Sequence, residues 1–147
     1  MQAWYLTSLI ASSLGLYIST YVSMVYFGLI SPKSWWMLPF LRLGDESVCD
    51  QVVRSEYGTF FKIPNAAIGY FYYLLIAFIS LKAFTAGGTL YILSVLVLSG
   101  LVLLFSFYLI WALIFRVKQR CVICYTAHFL NLVIFVCWLV VLLKIIY

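Results

Sequence analysis

Residues 89–115 read TLYILSVLVLSGLVLLFSFYLIWALIF. No charged side chain interrupts this run, and it is longer than the about 20 residues an α-helix needs to cross the hydrocarbon core of a bilayer. Working outward, three further apolar segments of spanning length appear, at residues 3–30, 64–84 and 122–143. The composition agrees: 67% of residues are apolar and only 9% are charged. So few charges leave too little polar surface to face water, since globular chains carry roughly a quarter charged residues. Aromatic residues, at 20%, suit anchoring at membrane–water interfaces. The expected fold class is therefore an all-α integral membrane protein, a four-transmembrane-helix bundle forming one membrane domain over residues 1–147.

The connections refine this expectation. No charge precedes Lys33, so the first segment lacks the basic start of a signal peptide, and it is too long for an apolar signal region of about 7–15 residues. It reads as a retained membrane helix. The stretch TAGG, Thr85–Gly88, is a tight connection that makes the second and third spans antiparallel neighbours. The long loop between the first two spans, Ser31 to Pro64, holds all four acidic residues together with Lys33, Arg42, Arg54 and Lys62. Trp35 and Trp36 beside Pro32 resemble an interfacial anchor. Ser47 to Tyr57 can form a short amphipathic helix with Val48, Val52 and Ser55 along one face. The net charge of +5 is dispersed between apolar spans. That argues against nucleic acid as a partner, because phosphate readout needs a clustered basic face; an anionic lipid headgroup or an acidic partner loop is the more natural counter-charge.

Four cysteines, Cys49, Cys121, Cys124 and Cys137, carry the chemical signal. Cys137 lies too far along the fourth span to bond Cys124, because about 1.5 Å of rise per residue separates them by about 20 Å, whereas a disulfide needs Cα atoms within about 7 Å. It reads as a small buried hydrophobe. The other three can converge. Cys49 follows span one and the Cys121/Cys124 pair follows span three, so two crossings separate them and they share one side of the membrane. Arg116, Lys118 and Arg120 precede the pair, and cations and a helix N-terminus both favour thiolate. A dithiol at that boundary can exchange disulfides with a soluble thiol protein on its wet side and meet a lipid-soluble quinone on its apolar side.

Two other readings use the same residues. Cys121, Cys124 and His128 share one helix face and Cys49 can complete a four-ligand zinc site, although a rigid helical C-x-x-C is a poor substitute for the turn that zinc motifs use. An inert bundle in which the cysteines merely pack is the second. A c-type haem site is excluded, because Tyr125 stands where a His would follow C-x-x-C. His128 lies one turn deeper than Cys124 on the same face; an ionisable residue inside a span is a functional candidate, able to donate to a quinone carbonyl or to bond another helix. Asn131 repeats that choice, with interhelical bonding the stronger alternative.

Two stretches, CDQVVRSEYGTFFKIPNAAIG (Cys49–Gly69) and CVICYTAHFLN (Cys121–Asn131), resemble the vitamin K epoxide reductase (VKOR) family of membrane thiol oxidoreductases. Cys49, Ser55, Pro64 and Gly69 occupy family positions in the first stretch, and Lys62 replaces the usual Gly. The resemblance covers most of the chain: four spans, a long exported loop between helices 1 and 2, and C-x-x-C opening the last helix. It implies that Cys121 and Cys124 are the active dithiol, with Cys124 nearer the quinone. It also implies that Cys49 exchanges electrons with Cys121 and that Ser55 supports the thiol chemistry by hydrogen bonding. His128, with Asn65 and Asn131, would border the quinone. The implied activity is disulfide formation, with electrons passing from a thioredoxin-like protein carrying its own C-x-x-C to a membrane quinone of ubiquinone, menaquinone or vitamin K type. Animal members instead reduce vitamin K epoxide; the segment IPNAAIG looks more like the bacterial branch.

Two features depart from the family pattern. A second loop cysteine is usual a few residues before the first, and Leu38 to Val48 contains none. Either the partner attacks a Cys49–Cys121 bond or the C-x-x-C directly, or the relay is lost. The outward placement expected for the family, facing a periplasm or, in the alternative, an endoplasmic reticulum lumen, puts seven of the nine basic residues outside: Lys33, Arg42, Arg54, Lys62, Arg116, Lys118 and Arg120. Lys82 and Lys144 remain inside, against the positive-inside rule. Disulfide chemistry in an oxidising compartment favours the outward orientation, and a cytosol-facing thiol reductase is the corresponding alternative.

Overall fold

The computed structural model of the chain describes residues 2–31 and 46–147, with the side chains of residues 46–48 outside that set. The expectations for Pro32, Lys33, Trp35, Trp36, Arg42 and Val48 therefore lie outside the described residues. Four helices are long and apolar enough to cross a membrane. They are α1 (Gln2–Tyr26), α3 (Asn65–Ala86), α4 (Thr89–Ala112) and α5 (Val122–Ile146). Before α3 come a short helix, α2 (Glu46–Arg54), and a two-stranded antiparallel hairpin of β1 (Thr59–Phe60) and β2 (Ile63–Pro64). α1 packs against α3 and α5, and α4 closes the bundle against α5 and α3.

The first span ends sooner than its apolar run suggests. Apolar residues continue to Ile30, yet the helix stops at Tyr26. Gly28 takes φ +72°, its N–H bonds Val25 O at 3.1 Å, and the Leu29 N–H reaches back to Met24 O at 2.9 Å. That paired bonding is a Schellman stop, which needs a residue tolerant of left-handed backbone. Hydropathy carries no information about such a stop.

Small residues determine how closely α1 approaches its neighbours. Ser8, Ser12, Gly15 and Ser19 lie along its buried face, the pattern that lets membrane helices pack tightly. Two of their hydroxyl groups bond inside the bundle: the Ser12 hydroxyl donates to Ser8 O at 2.8 Å, and the Ser8 Oγ accepts from Trp138 Nε1 at 2.8 Å, tying α5 to α1. The Tyr73 ring of α3 occupies the space where a side chain on Gly15 would stand. Outward faces carry large apolar groups, such as Leu101, Leu104 and Phe107 of α4, as lipid contact requires. Cys137 is buried at 2% exposure within an uninterrupted α5, consistent with a packing role.

The connection between α3 and α4 is as tight as TAGG implies, with Gly87 and Gly88 both at positive φ. At the other end of the bundle, α4 widens into a π-helical turn, Leu113–Val117, and stops at Lys118, which is left-handed at φ 54°. Such turns often occur at functional sites.

Candidate active site

The described end of the bundle that includes α2 and the hairpin gathers the chemically active side chains. α5 opens with Cys121 as its N-cap: the residue is extended (φ −94°, ψ 104°) and its sulfur accepts from the Cys124 backbone N–H at 3.4 Å. A thiol here takes the place of the Ser or Asp oxygen that usually caps a helix. α2 lies across the same end, and the sulfurs of Cys49 and Cys121 are 2.7 Å apart. All three cysteines line a small cavity of ≈ 40 Å³ with Tyr26, Asp50 and Val53. The topological argument that put three thiols on one side is thus matched by contact.

Arg54 fastens α2 in this position. Its Nε donates to the Asp50 carboxylate at 2.9 and 3.1 Å, Nη2 donates to Tyr26 O at 3.3 Å, and the guanidinium lies 5.2 Å from the Tyr26 ring centre. Val52, 6% exposed, points inward as the amphipathic reading expected. Ser55 follows the helix directly. Its hydroxyl donates to Val52 O at 2.6 Å and accepts from the Gly58 N–H at 3.2 Å. Those bonds shape the turn into the hairpin, so the structure joins Ser55 to backbone rather than to a sulfur.

The Cys121 thiol is not activated in the way the sequence suggests. Arg116 turns onto the Trp111 ring, 5.6 Å from its centre, and Arg116, Lys118 and Arg120 are all exposed. The neighbouring Cys124 thiol favours keeping the proton on Cys121, the contact with Cys49 acts in the opposite direction, and burial adds to the first; the thiol is pushed up to about 12. Desolvation and a neighbouring thiol outweigh cations that remain in water.

Cys124 also borders a larger, mostly apolar cavity of ≈ 190 Å³ between α1, α3, α4 and α5, roofed by the turn after α2. Ser55, Asn65, His128 and Asn131 line it, so it brings together every residue expected near a quinone. Leu113 and Val117 of the π-helical turn contribute to its wall. Its two asparagines differ in hydrogen bonding. Asn131 is fully engaged: its Oδ1 accepts from Tyr73 OH at 2.7 Å and its Nδ2 donates to Ser106 Oγ at 2.8 Å. It joins α3, α4 and α5. Asn65 Nδ2 donates to Tyr57 O at 2.7 Å, while Asn65 Oδ1 is buried with no protein partner, as is His128 Nδ1. No three His, Cys, Asp or Glu side chains among the described residues are grouped to hold a metal ion.

Sequence reasoning passed over two tyrosines. Tyr73, 2% exposed, anchors the Asn131 network, and its neighbour Tyr72 lines the cavity with a buried hydroxyl that has no partner. The signal was the pair itself: consecutive phenols inside an apolar span need hydrogen-bond partners or a ligand.

The chain matches the vitamin K epoxide reductase family over residues 6–139. It belongs to the VKOR family. No curated protein matches it. VKOR proteins are membrane oxidoreductases, quinone-linked and acting on thiols or on an epoxide, and this chain is a multi-pass integral membrane member of that group. Its matched region contains both α2 and the C-x-x-C.

Proposed function

We propose that this VKOR protein is a quinone-dependent thiol–disulfide oxidoreductase that takes electrons from a thioredoxin-like dithiol protein. The observation that carries this reading is the chain of contacts from Cys49 to Cys121 at 2.7 Å, on to Cys124, whose backbone N–H meets the Cys121 sulfur at 3.4 Å, and from there to an apolar cavity. A relay needs these contacts in that order, because thiol–disulfide exchange requires sulfur to meet sulfur directly.

The cycle balances without a second loop cysteine. In the oxidised protein a bond joins Cys49 to Cys121. Cys49 is partly exposed whereas Cys121 is fully buried, so an incoming thiolate reaches Cys49. Attack there forms a mixed disulfide and releases Cys121 as a thiol. The partner's second thiolate then displaces Cys49, leaving the partner as a disulfide and Cys49 and Cys121 reduced. Next, the thiols of Cys121 and Cys124 give up two electrons and two protons and join as a disulfide. Cys49 thiolate attacks its Cys121 sulfur, restoring the Cys49–Cys121 bond and releasing Cys124 beside the cavity. A quinone bound there supplies the two-electron, two-proton acceptor. The fit rests on the cavity's apolar wall, on His128, whose Nδ1 lacks a protein partner, and on Asn65, whose Nδ2 keeps a second hydrogen beyond the one given to Tyr57 O. His128 and the second Nδ2 hydrogen of Asn65 bond the quinone oxygens, while Asn131 holds the helices that form the cavity. The thiol end faces an oxidising compartment outside the membrane.

The test is turnover. Purified protein with a reduced thioredoxin-like partner should reduce a ubiquinone or menaquinone analogue, and Cys124→Ala should abolish that reduction while a mixed disulfide still forms at Cys49. Undiminished turnover in Cys124→Ala rules out the assigned dithiol.

A further inference from the structure

Three residues that line the larger cavity each carry a buried polar atom without a protein partner: Asn65 Oδ1, Tyr72 OH and His128 Nδ1. Among the described residues, other buried polar groups are paired, as in Tyr73–Asn131–Ser106 and Trp138–Ser8, except Ser80 Oγ, which belongs to a residue outside this cavity. Buried polar groups without partners are costly, and three such residues around one cavity point to a site completed by a polar ligand. We propose that this lining selects the hydroquinone over the quinone, with the Tyr72 hydroxyl as a binding contact beside Asn65 and His128. The inference deepens the quinone-linked reading above and rests on it.

Donor and acceptor chemistry makes the selection. The Tyr57 carbonyl can only accept, so the group 2.7 Å from it is the Asn65 amide nitrogen and the unpaired atom is the amide oxygen. That oxygen can only accept a hydrogen bond. A quinone carries carbonyl lone pairs and no O–H, so it leaves Asn65 Oδ1 unpaired. A hydroquinone carries two O–H donors and satisfies it. Tyr72 OH donates to either form, and it alone of the three also accepts while still donating. Tyr72 is 8% exposed on α3, the helix that begins at Asn65, so one rigid element carries both contacts. Tighter binding of the reduced form raises the potential of the bound couple, by about 30 mV for each tenfold of preference in a two-electron reaction. The site thereby draws electrons away from Cys121 and Cys124.

The experiment measures affinity rather than turnover. The full chain carrying Cys124→Ala, which cannot convert its ligand, is titrated anaerobically with a short-tailed 1,4-benzoquinone and separately with its hydroquinone, following quenching of intrinsic fluorescence. The hydroquinone should bind about 5–10-fold tighter, the factor expected for one additional net hydrogen bond. Adding Tyr72→Phe should weaken both forms about fivefold, and adding Asn65→Leu should bring the two affinities together. Retained oxidative cross-linking of Cys49 to Cys121 shows that each variant is folded; if Asn65→Leu fails this check, the quinone-to-hydroquinone ratio in the parent still decides the matter. Equal affinities in the parent, or no change with Tyr72→Phe, overturn this inference and leave the quinone reading standing. Binding of neither form overturns both.

Discussion

Replacing Asn131 with Leu keeps the side-chain volume and removes the only amide that joins α3, α4 and α5 among the described hydrogen bonds. Two bonds are lost, from Tyr73 OH at 2.7 Å and to Ser106 Oγ at 2.8 Å. Side-chain hydrogen bonds inside membrane proteins average about 0.6 kcal/mol and reach about 1.7. The two together are therefore worth about 1–3 kcal/mol. The Tyr73 hydroxyl keeps a second acceptor, Ala127 O at 3.1 Å, which places the loss in the lower half of that range. Ser106, 2% exposed, loses its donor. The expected destabilisation is about 1–2 kcal/mol, with a coupling of about 0.6 kcal/mol or more between Asn131→Leu and Tyr73→Phe in a double-mutant cycle. Reversible unfolding of the purified protein in mixed micelles, titrated with a denaturing detergent and followed by circular dichroism, measures both quantities. A variant as stable as the parent, or additive effects in the cycle, would refute the view that Asn131 is a structural tie. In that case its role would return to direct contact with the ligand.

Two further outcomes follow from the thiol site and the helix seam. Because the neighbouring Cys124 thiol and burial push the Cys121 thiol up to about 12, its alkylation in the reduced protein should keep rising beyond pH 10, whereas an ordinary thiol, with a pKa of about 8.5, levels off by about pH 10. The same raised value stabilises the fold fully below about pH 8.5 and progressively less as pH climbs toward 12; labelling followed by mass spectrometry decides it, and a plateau by about pH 10 contradicts the assignment. Gly15→Ala puts a methyl group where the Tyr73 ring stands, so it should cost about 1–3 kcal/mol through overpacking and displace the Tyr73–Asn131 bond; unchanged stability in the same unfolding assay argues against the close seam.

The relationship between sequence and structure divides along physical lines. Span positions were readable because lipid imposes one requirement, an apolar helix about 20 residues long, and segments such as 89–115 satisfy it almost alone. The shared side of Cys49, Cys121 and Cys124 was readable for a similar reason: counting crossings fixes sidedness without any knowledge of packing. The end of α1 was less legible, since Gly28 stops the helix within an apolar run through backbone conformation.

What the sequence by itself determined was the solvent, the number of crossings and that the three thiols share one side of the membrane. Only the tertiary structure decided which polar groups are satisfied. Asn65 and Asn131 are the same residue type and both line the cavity, yet one retains an unpaired oxygen and the other has both ends bonded. Cations adjacent in sequence to Cys121 turn toward water, while Cys49, 72 positions away, sits against its sulfur. Hydrogen bonding and desolvation act over a few ångströms of space, and a linear pattern records that distance only where one helix or one turn spans it.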